Sequence, residues 1–191
     1  MDAQTIKLIG LIIGYVAVAE GFLIFLSSRR DRILIFKFIA DVLWSVSYLL
    51  QGNYTGGILN AIAMGRETVF YNRDKHKWAS SRLWLVFFLI VTMISPMYSL
   101  ISGKEGWYAV LPAIGSLAAV IGFYSRSANV SRYIGLFANG VWMIYNILSK
   151  NMPATLSSAI LMGSGVVGTI AMLVQRYHIK KASVPPTTKE E

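Results

Sequence analysis

Side chains that could bind a small polar solute recur on one face of each of two apolar segments. The faces consist of Asp41, Trp44 and Tyr48 in the first segment and of Asn139, Trp142 and Asn146 in the second. Residues three and four positions apart share one face of a helix, so each set would point in one direction. An indole ring covers an apolar surface of a ligand, and an amide offers both a donor and an acceptor. The combination favours binding of a neutral polar solute.

Residues suited to catalysis or metal binding are sparse. The chain has no Cys, which excludes disulfides and thiolate ligands. His76 and His178 fall in polar segments without metal-ligand spacing, and no nucleophile motif or phosphate-binding glycine loop is present. The basic segment 73–82 is too poor in aromatic residues for nucleic-acid binding, and contact with anionic lipid headgroups explains it better. We therefore expect no enzyme activity, no cofactor, no metal and no nucleic-acid partner.

The two apolar segments belong to a longer repeated stretch. At an offset of 98 residues and without gaps, residues 38–65 align with residues 136–163. The alignment pairs Trp44 with Trp142 and matches the run Ala-Ile-x-Met-Gly that ends both stretches. It also pairs Asn60 with Ser158, which adds these two residues to the candidate site. A repeat of this length indicates an internal duplication.

The composition is that of a membrane protein. Of the 191 residues, 55% are hydrophobic and 14% are charged, whereas about 25% are charged in an average soluble domain. Seven apolar stretches are long enough to cross a hydrocarbon layer about 30 Å thick as helices. Their predicted limits are 5–27, 33–50, 55–71, 83–100, 107–125, 132–149 and 153–175. The predicted fold is an all-α integral membrane protein with seven transmembrane helices.

The repeat divides the seven spans into two groups of three joined by one linker. The offset maps spans 1 to 3 onto spans 5 to 7 and leaves span 4 alone. Because a single linker span returns the chain to the side of the membrane on which the first group began, both groups would have the same orientation. They would be parallel triple-helix repeats related by an axis along the membrane normal. The predicted units are 1–72 for the first repeat, 73–106 for the cytoplasmic loop and linker helix, 107–177 for the second repeat and 178–191 for a disordered cytoplasmic tail.

Basic residues predict the orientation of the chain. Thirteen of the 18 Lys and Arg residues fall in the turn after span 1, the loop after span 3, the turn after span 5 and the tail, whereas three fall on the opposite side. Short loops rich in Lys and Arg stay in the cytoplasm. The N-terminus is therefore predicted to lie outside and the C-terminus in the cytoplasm.

The polar faces would lie deep in the membrane. At 1.5 Å per residue, Asp41 is about 13 Å from the cytoplasmic end of its helix, where a charge is costly unless it faces the bundle interior or a wet cavity. We therefore predict a mid-membrane solute site between the two repeats. The predicted substrate-binding residues are Asp41, Trp44, Tyr48, Asn60, Asn139, Trp142, Asn146 and Ser158. Helix packing through the same Asn and Ser side chains is the alternative interpretation.

Four further charged residues are predicted to lie closer to the cytoplasmic face. They are Glu20, Lys37, Arg66 and Glu67. Ion pairs among them could close a gate on that side, and extension of Lys37 and Arg66 to the lipid headgroups is the alternative. At the positions that correspond to Lys37, Arg66 and Glu67, the second repeat has Gly135, Ser164 and Gly165. This asymmetry favours a gate or a proton-coupled group over a purely structural role.

The architecture and one long segment resemble known membrane proteins. Parallel triple-helix repeats around one linker helix, with the N-terminus outside, look like the SWEET/MtN3/PQ-loop superfamily. Segment 25–75 more specifically resembles the YgjV-type bacterial inner-membrane proteins, which implies residence in the bacterial inner membrane. The matching residues are Arg29, Arg30, Leu49, Leu50, Gln51, Gly52, Thr55, Gly56, Asn60 and Arg66. The chain departs from the SWEET pattern in lacking Pro from spans 1, 2 and 6 and any Pro-Gln pair.

These observations lead to one main functional interpretation and two alternatives. The main interpretation is a transporter or facilitator of a small polar solute, with alternating access to a mid-membrane site. The alternatives are a ligand-binding membrane receptor or sorting protein of the same fold, and a structural membrane protein without transport. The expected partners are a small-molecule solute and membrane lipids, and a homo-oligomer is compatible with the sequence.

Overall fold

Seven α-helices make up the part of the chain that the computed structural model describes, which is residues 2–26, 30–73, 75–124 and 128–182. The helices are α1 (Ala3–Leu26), α2 (Arg30–Leu50), α3 (Tyr54–Asn72), α4 (Leu83–Ile101), α5 (Val110–Tyr124), α6 (Ala128–Leu148) and α7 (Met152–Ala182). A short 3-10 turn, Trp107–Ala109, precedes α5, and these ranges contain no strand. The prediction of an all-α fold with seven helices is confirmed.

The helices end close to the predicted limits, except for the last one. α7 continues to Ala182, so residues 178–182, which the sequence placed in the tail, are helical. The rest of that tail, 183–191, lies outside the described residues, as do Arg29 and Arg126 from the basic turns. α4 runs past the buried Pro96 to Ile101, so this proline does not end the helix.

The outer surface of the helix bundle is apolar, whereas several of its charged groups are buried. Ile90 is 63% exposed and Val167 is 67% exposed, while Asp41 is 3% and Glu67 is 1% exposed. Such a distribution suits a bundle surrounded by lipid rather than by water. By length and composition alone, two helical segments, Ala3–Gly21 and Leu83–Ile101, qualify as membrane spans. Three further apolar segments, Trp107–Gly122, Tyr133–Leu148 and Met152–Val167, are shorter. The charges of α2 and α3 lower the hydropathy of these two helices, so a sevenfold crossing stays a prediction.

Helices α1 to α3 and helices α5 to α7 have the same packing order, and they are called the first and the second group below. α2 lies between α1 and α3, and α6 lies between α5 and α7, while α4 contacts both α3 and α5. Across the groups, α1 contacts α7 and α3 contacts α5. The second and sixth helices are therefore central in their groups, which brings both of the polar faces predicted from the sequence into the middle of the bundle.

The turn that follows α2 and the turn that follows α6 have the same backbone geometry. The Asn53 amide donates to the Tyr48 carbonyl at 2.9 Å, and the Asn151 amide donates to the Asn146 carbonyl at 2.9 Å. Each turn contains one residue with a positive φ, and these residues are separated by the same 98-residue offset. They are Gly52, with φ 83°, and Lys150, with φ 56°. Both turns thus end their helices with a left-handed residue, the usual place for glycine.

Lys150→Gly is expected to raise the stability of the folded protein, and Gly52→Ala is expected to lower it. A side chain in the left-handed region costs about 1 kcal/mol, a cost that glycine escapes. The opposite shifts should appear as changes in melting temperature of the two purified variants, each compared with the wild type. Equal destabilisation by both substitutions would contradict the strain assigned to Lys150.

Candidate solute-binding cavity

A cavity of about 370 Å³ lies in the middle of the bundle, and every helix except α4 contributes to its wall. Its volume falls within the range of about 300–1,000 Å³ typical of small-molecule sites. All eight predicted substrate-binding residues line it. Small side chains such as Ala40, Ala63 and Ala138 occupy the wall between the polar groups and leave the space open. The arrangement brings together polar side chains from both groups of helices.

Three of the eight residues are already bonded to one another. The Tyr48 hydroxyl donates to Asn146 Oδ1 at 2.6 Å, and Asn146 Nδ2 donates to Ser158 Oγ at 3.0 Å. The same amide nitrogen lies 3.2 Å from the Ala154 carbonyl oxygen. These side chains are buried, so their hydrogen-bonding groups are largely satisfied within the protein. The trio joins α2 to α6 and α7, and it forms one end of the cavity.

Two other residues keep hydrogen-bonding capacity for a ligand. Asn60 Nδ2 donates to the Gly56 carbonyl oxygen at 2.8 Å, which leaves the side-chain oxygen of Asn60 without a partner among the described residues. The Asn139 side chain lines the cavity, and no described residue forms a hydrogen bond with its amide. A ligand could therefore donate to Asn60 and both donate to and accept from Asn139.

Aromatic rings form a layer around the bonded trio. The ring centroids of Trp44 and Trp142 lie 5.9 Å and 6.0 Å from that of Tyr48. Both indoles line the cavity rather than standing at a bundle end. Close approach of a glycine positions two of the three rings: a Cβ on Gly56 would lie 2.8 Å from Tyr48 Cδ1, and one on Gly115 would lie 2.7 Å from Trp142 Cδ1. The rings thus offer a fixed apolar surface next to the free amides.

Two residues that the sequence did not single out tie the helices together next to the bonded trio. The buried Glu105, in the loop between α4 and α5, accepts a 2.7 Å hydrogen bond from the Thr55 amide through Oε1. Its Oε2 accepts a 3.2 Å hydrogen bond from the hydroxyl of Tyr145, and that hydroxyl accepts from the Gly56 amide at 3.2 Å. Glu105 therefore ties its loop to the first turn of α3 and to α6. Tyr145 is adjacent in sequence to the polar face of α6, a signal that could have identified it, but a loop carboxylate gives no periodic signal.

The charged residues predicted to form a gate lie on the first group of helices. Lys37 Nζ is 3.1 Å from Asp41 Oδ1 and 3.8 Å from Glu67 Oε1, and Arg66 Nη2 is 3.1 Å from the same Glu67 oxygen. Lys37 and Arg66 line the cavity. Arg66 is only 6% exposed, so it does not extend to the bundle surface as the alternative required. Glu20 is buried on α1, and no described residue forms a hydrogen bond with either of its carboxylate oxygens.

A family model described as a bacterial inner membrane protein, Imp-YgjV, matches residues 8–176. The chain belongs to this family. The match covers every residue of the cavity and of the charged cluster, and it confirms the resemblance to YgjV-type proteins. The description gives this Imp-YgjV protein a location, the inner membrane, and no activity. No match is found among the curated proteins or among the solved structures, so the wider placement among SWEET-like proteins stays a prediction.

The donor set of this Imp-YgjV chain does not favour a metal centre. Within the described residues, no group of three or more His, Cys, Asp or Glu side chains could hold a metal ion. Within the charged cluster, the carboxylates of Asp41 and Glu67 are instead paired with Lys37 and Arg66, whereas that of Glu20 is not. What the cavity offers is an aromatic surface, two available amides and a mixed cluster of charges, which together suit binding of an organic solute.

Proposed function

We propose that this Imp-YgjV protein is a transporter or facilitator of a small polar solute and that the central cavity is its binding site. The observation that carries the proposal is the composition of the cavity wall, in which polar residues at equivalent positions of the two halves face one space. Polar groups within a membrane are costly and are usually retained for a substrate path or for helix association. Asn139 is not bonded to another described helix, which favours the first explanation.

The proposed architecture is two parallel triple-helix repeats with α4 as the linker. Three observations support it: the common packing order of the two groups, the matching turns after α2 and α6, and the hydrogen bond between Tyr48 and Asn146, which are 98 residues apart. A residue that contacts its own counterpart in the other repeat must lie near the axis that relates the repeats. The solute site would therefore lie on that axis, where two halves can move relative to each other.

The proposed transport cycle alternates between opposite openings of this cavity. The trio of Tyr48, Asn146 and Ser158 and the tie through Glu105 and Tyr145 would close the end near the turn after α2. The orientation predicted from the basic residues puts that end outside. Opening the cavity to the outside would then require these hydrogen bonds to break, while the charged cluster near Lys37 would lie toward the cytoplasm and act as the second gate.

Transport can be tested before the solute is identified. The purified protein is screened by thermal shift against neutral sugars, polyols and small amides, and each stabilising compound is then assayed for counterflow into sealed proteoliposomes. We expect at least one compound to raise the melting temperature and to enter faster than into protein-free vesicles. Binding without faster entry would favour the receptor interpretation, and neither binding nor entry would favour a structural role.

Asn139→Ala and Asn146→Ala are expected to have different effects although both remove an amide from α6. Asn139→Ala should weaken binding of the solute found in that screen several-fold, because one hydrogen bond contributes about 1 kcal/mol, and should leave stability unchanged. Asn146→Ala should instead lower the free energy of unfolding by about 1–3 kcal/mol, because it leaves the buried Tyr48 hydroxyl without its partner. Titration calorimetry and thermal melting measure the two effects. Equal loss of stability in both variants would show that Asn139 is only a packing residue.

A further inference from the structure

The charged cluster beside the cavity has more carboxylates than cations. Its members are Glu20 on α1, Lys37 and Asp41 on α2, and Arg66 and Glu67 on α3. Lys37 is shared between Asp41 and Glu67, and Arg66 is bonded to Glu67. If every group were ionised, the cluster would carry one net negative charge. Three carboxylates therefore share two cations in this cluster, and one carboxylate is left without a compensating cation of the cluster.

Glu20 is the carboxyl group of the cluster that forms no ion pair with Lys37 or Arg66. The residue is 9% exposed, and both of its carboxylate oxygens are buried without a hydrogen-bond partner among the described residues. α2 packs against α1, and its Asp41 and Lys37 are the charged groups near Glu20 among the described residues. α7, which also packs against α1, has no titratable residue between Met152 and Gln175. An ionised carboxylate in this position would have to be stabilised by a cation that is already engaged.

A proton satisfies this site better than a metal ion does. A bound sodium or calcium ion needs several converging oxygen ligands, and the described residues include no acidic cluster of the kind that could hold a metal. The nearby Lys37 ammonium would also repel a metal cation. A proton needs no coordination shell: transfer from a hydronium ion to a Glu20 oxygen breaks one O–H bond of that ion, forms one on the carboxyl group and releases neutral water, so the uncompensated charge disappears with no change of oxidation state.

We infer that Glu20, together with the ion pairs of Lys37 and Arg66, forms a proton-binding site whose occupancy is coupled to the state of the cavity. The inference rests on the proposed transport function. When Glu20 loses its proton, Lys37 is the cation best placed to compensate the new charge, and the 3.8 Å contact with Glu67 is the looser of its two pairings. Because Lys37 and Asp41 line the cavity, a shift of Lys37 toward Glu20 changes the wall that a solute contacts. Proton release would thus alter binding or access.

The first experiment uses the wild-type protein and does not depend on a solute. Dicyclohexylcarbodiimide, a hydrophobic reagent that modifies protonated carboxyl groups, is applied to proteoliposomes over a series of pH values, and mass spectrometry locates the products. We expect modification at Glu20 that declines as the pH rises. Glu105 is the internal control, since both of its oxygens are engaged by the Thr55 amide and the Tyr145 hydroxyl, and it should stay unmodified. An unmodified Glu20 at every pH would overturn the inference.

The second experiment measures proton binding directly. Proteoliposomes on a solid-supported membrane are subjected to a pH jump, and the transient current is recorded for the wild type, for Glu20→Gln and for Asp2→Asn, which removes a carboxylate from the exposed start of the same helix. We expect the current in the wild type and in Asp2→Asn, and its loss to the level of empty liposomes in Glu20→Gln. An undiminished current in folded Glu20→Gln, or a current evoked by a sodium jump at constant pH, would overturn the inference. Proton currents without uptake of any solute would instead contradict the transport function alone.

Discussion

Glu105→Ala is expected to destabilise the protein and to open the end of the cavity that the bonded trio forms. The side chain is buried and accepts hydrogen bonds from the Thr55 amide and the Tyr145 hydroxyl. Hydrogen bonds to a charged group contribute about 1.5–3 kcal/mol each. The carboxylate also lies at the N-terminus of α3, where a negative charge is favourable. We therefore expect a loss of about 3 kcal/mol or more in the free energy of unfolding.

The same substitution should change access to the cavity. Because the chain has no Cys, a single Cys introduced by Asn60→Cys reports on the accessibility of the cavity to a membrane-impermeant maleimide. We expect faster labelling from the outer side in the Glu105→Ala background than in the wild-type background. Glu105→Gln is the matched control, since it keeps an oxygen that can accept from the Thr55 amide, and it should produce smaller changes in both melting temperature and labelling. Unchanged labelling in Glu105→Ala would mean that the loop stabilises the fold without closing the cavity.

The parts of the site that follow helical periodicity could be predicted from the sequence. Spacing and the repeat identify Trp44 and Trp142, and both line the cavity. The reason is physical: in an α-helix the spacing of residues fixes their common face, and a polar face within a membrane must point inward. The same argument could not separate Asn146, which is bonded within the protein, from Asn139, which has no such bond among the described residues. That distinction depends on contacts between helices far apart in sequence.

Features outside the periodic segments escaped prediction. Glu105 lies in a short loop, and its partners Thr55 and Tyr145 come from two different helices. The predicted depth in the membrane places the charged residues near one another, but it does not identify their partners. The ion pair of Lys37 with Glu67 joins α2 to α3 within one group and does not bridge the two groups. The role of the charged residues as a gate therefore stays a prediction that needs movement of α2 or α3.

Filling the cavity with a large side chain is expected to abolish solute binding without unfolding the protein. Gly135 on α6 lines the cavity, and a Cβ built on it would have no atom within 4 Å. Gly135→Trp can therefore enter the empty space, and loss of a glycine from a helix interior favours the helix. Gly163→Trp on α7 is the matched control, because its Cβ also meets open space while the residue is exposed and does not line the cavity.

The comparison of these two variants tests the cavity independently of the solute's identity. In the Asn60→Cys background, Gly135→Trp should slow labelling by the maleimide, and Gly163→Trp should leave it unchanged. With the solute found by thermal shift, Gly135→Trp should lose the ligand-induced rise in melting temperature, while the melting temperature without ligand stays close to that of the wild type. Retention of ligand binding by a folded Gly135→Trp would place the solute site elsewhere in the protein. Loss of binding in both variants would indicate that the substitutions disturb the helix bundle in general, because only the indole introduced by Gly135→Trp can enter the cavity.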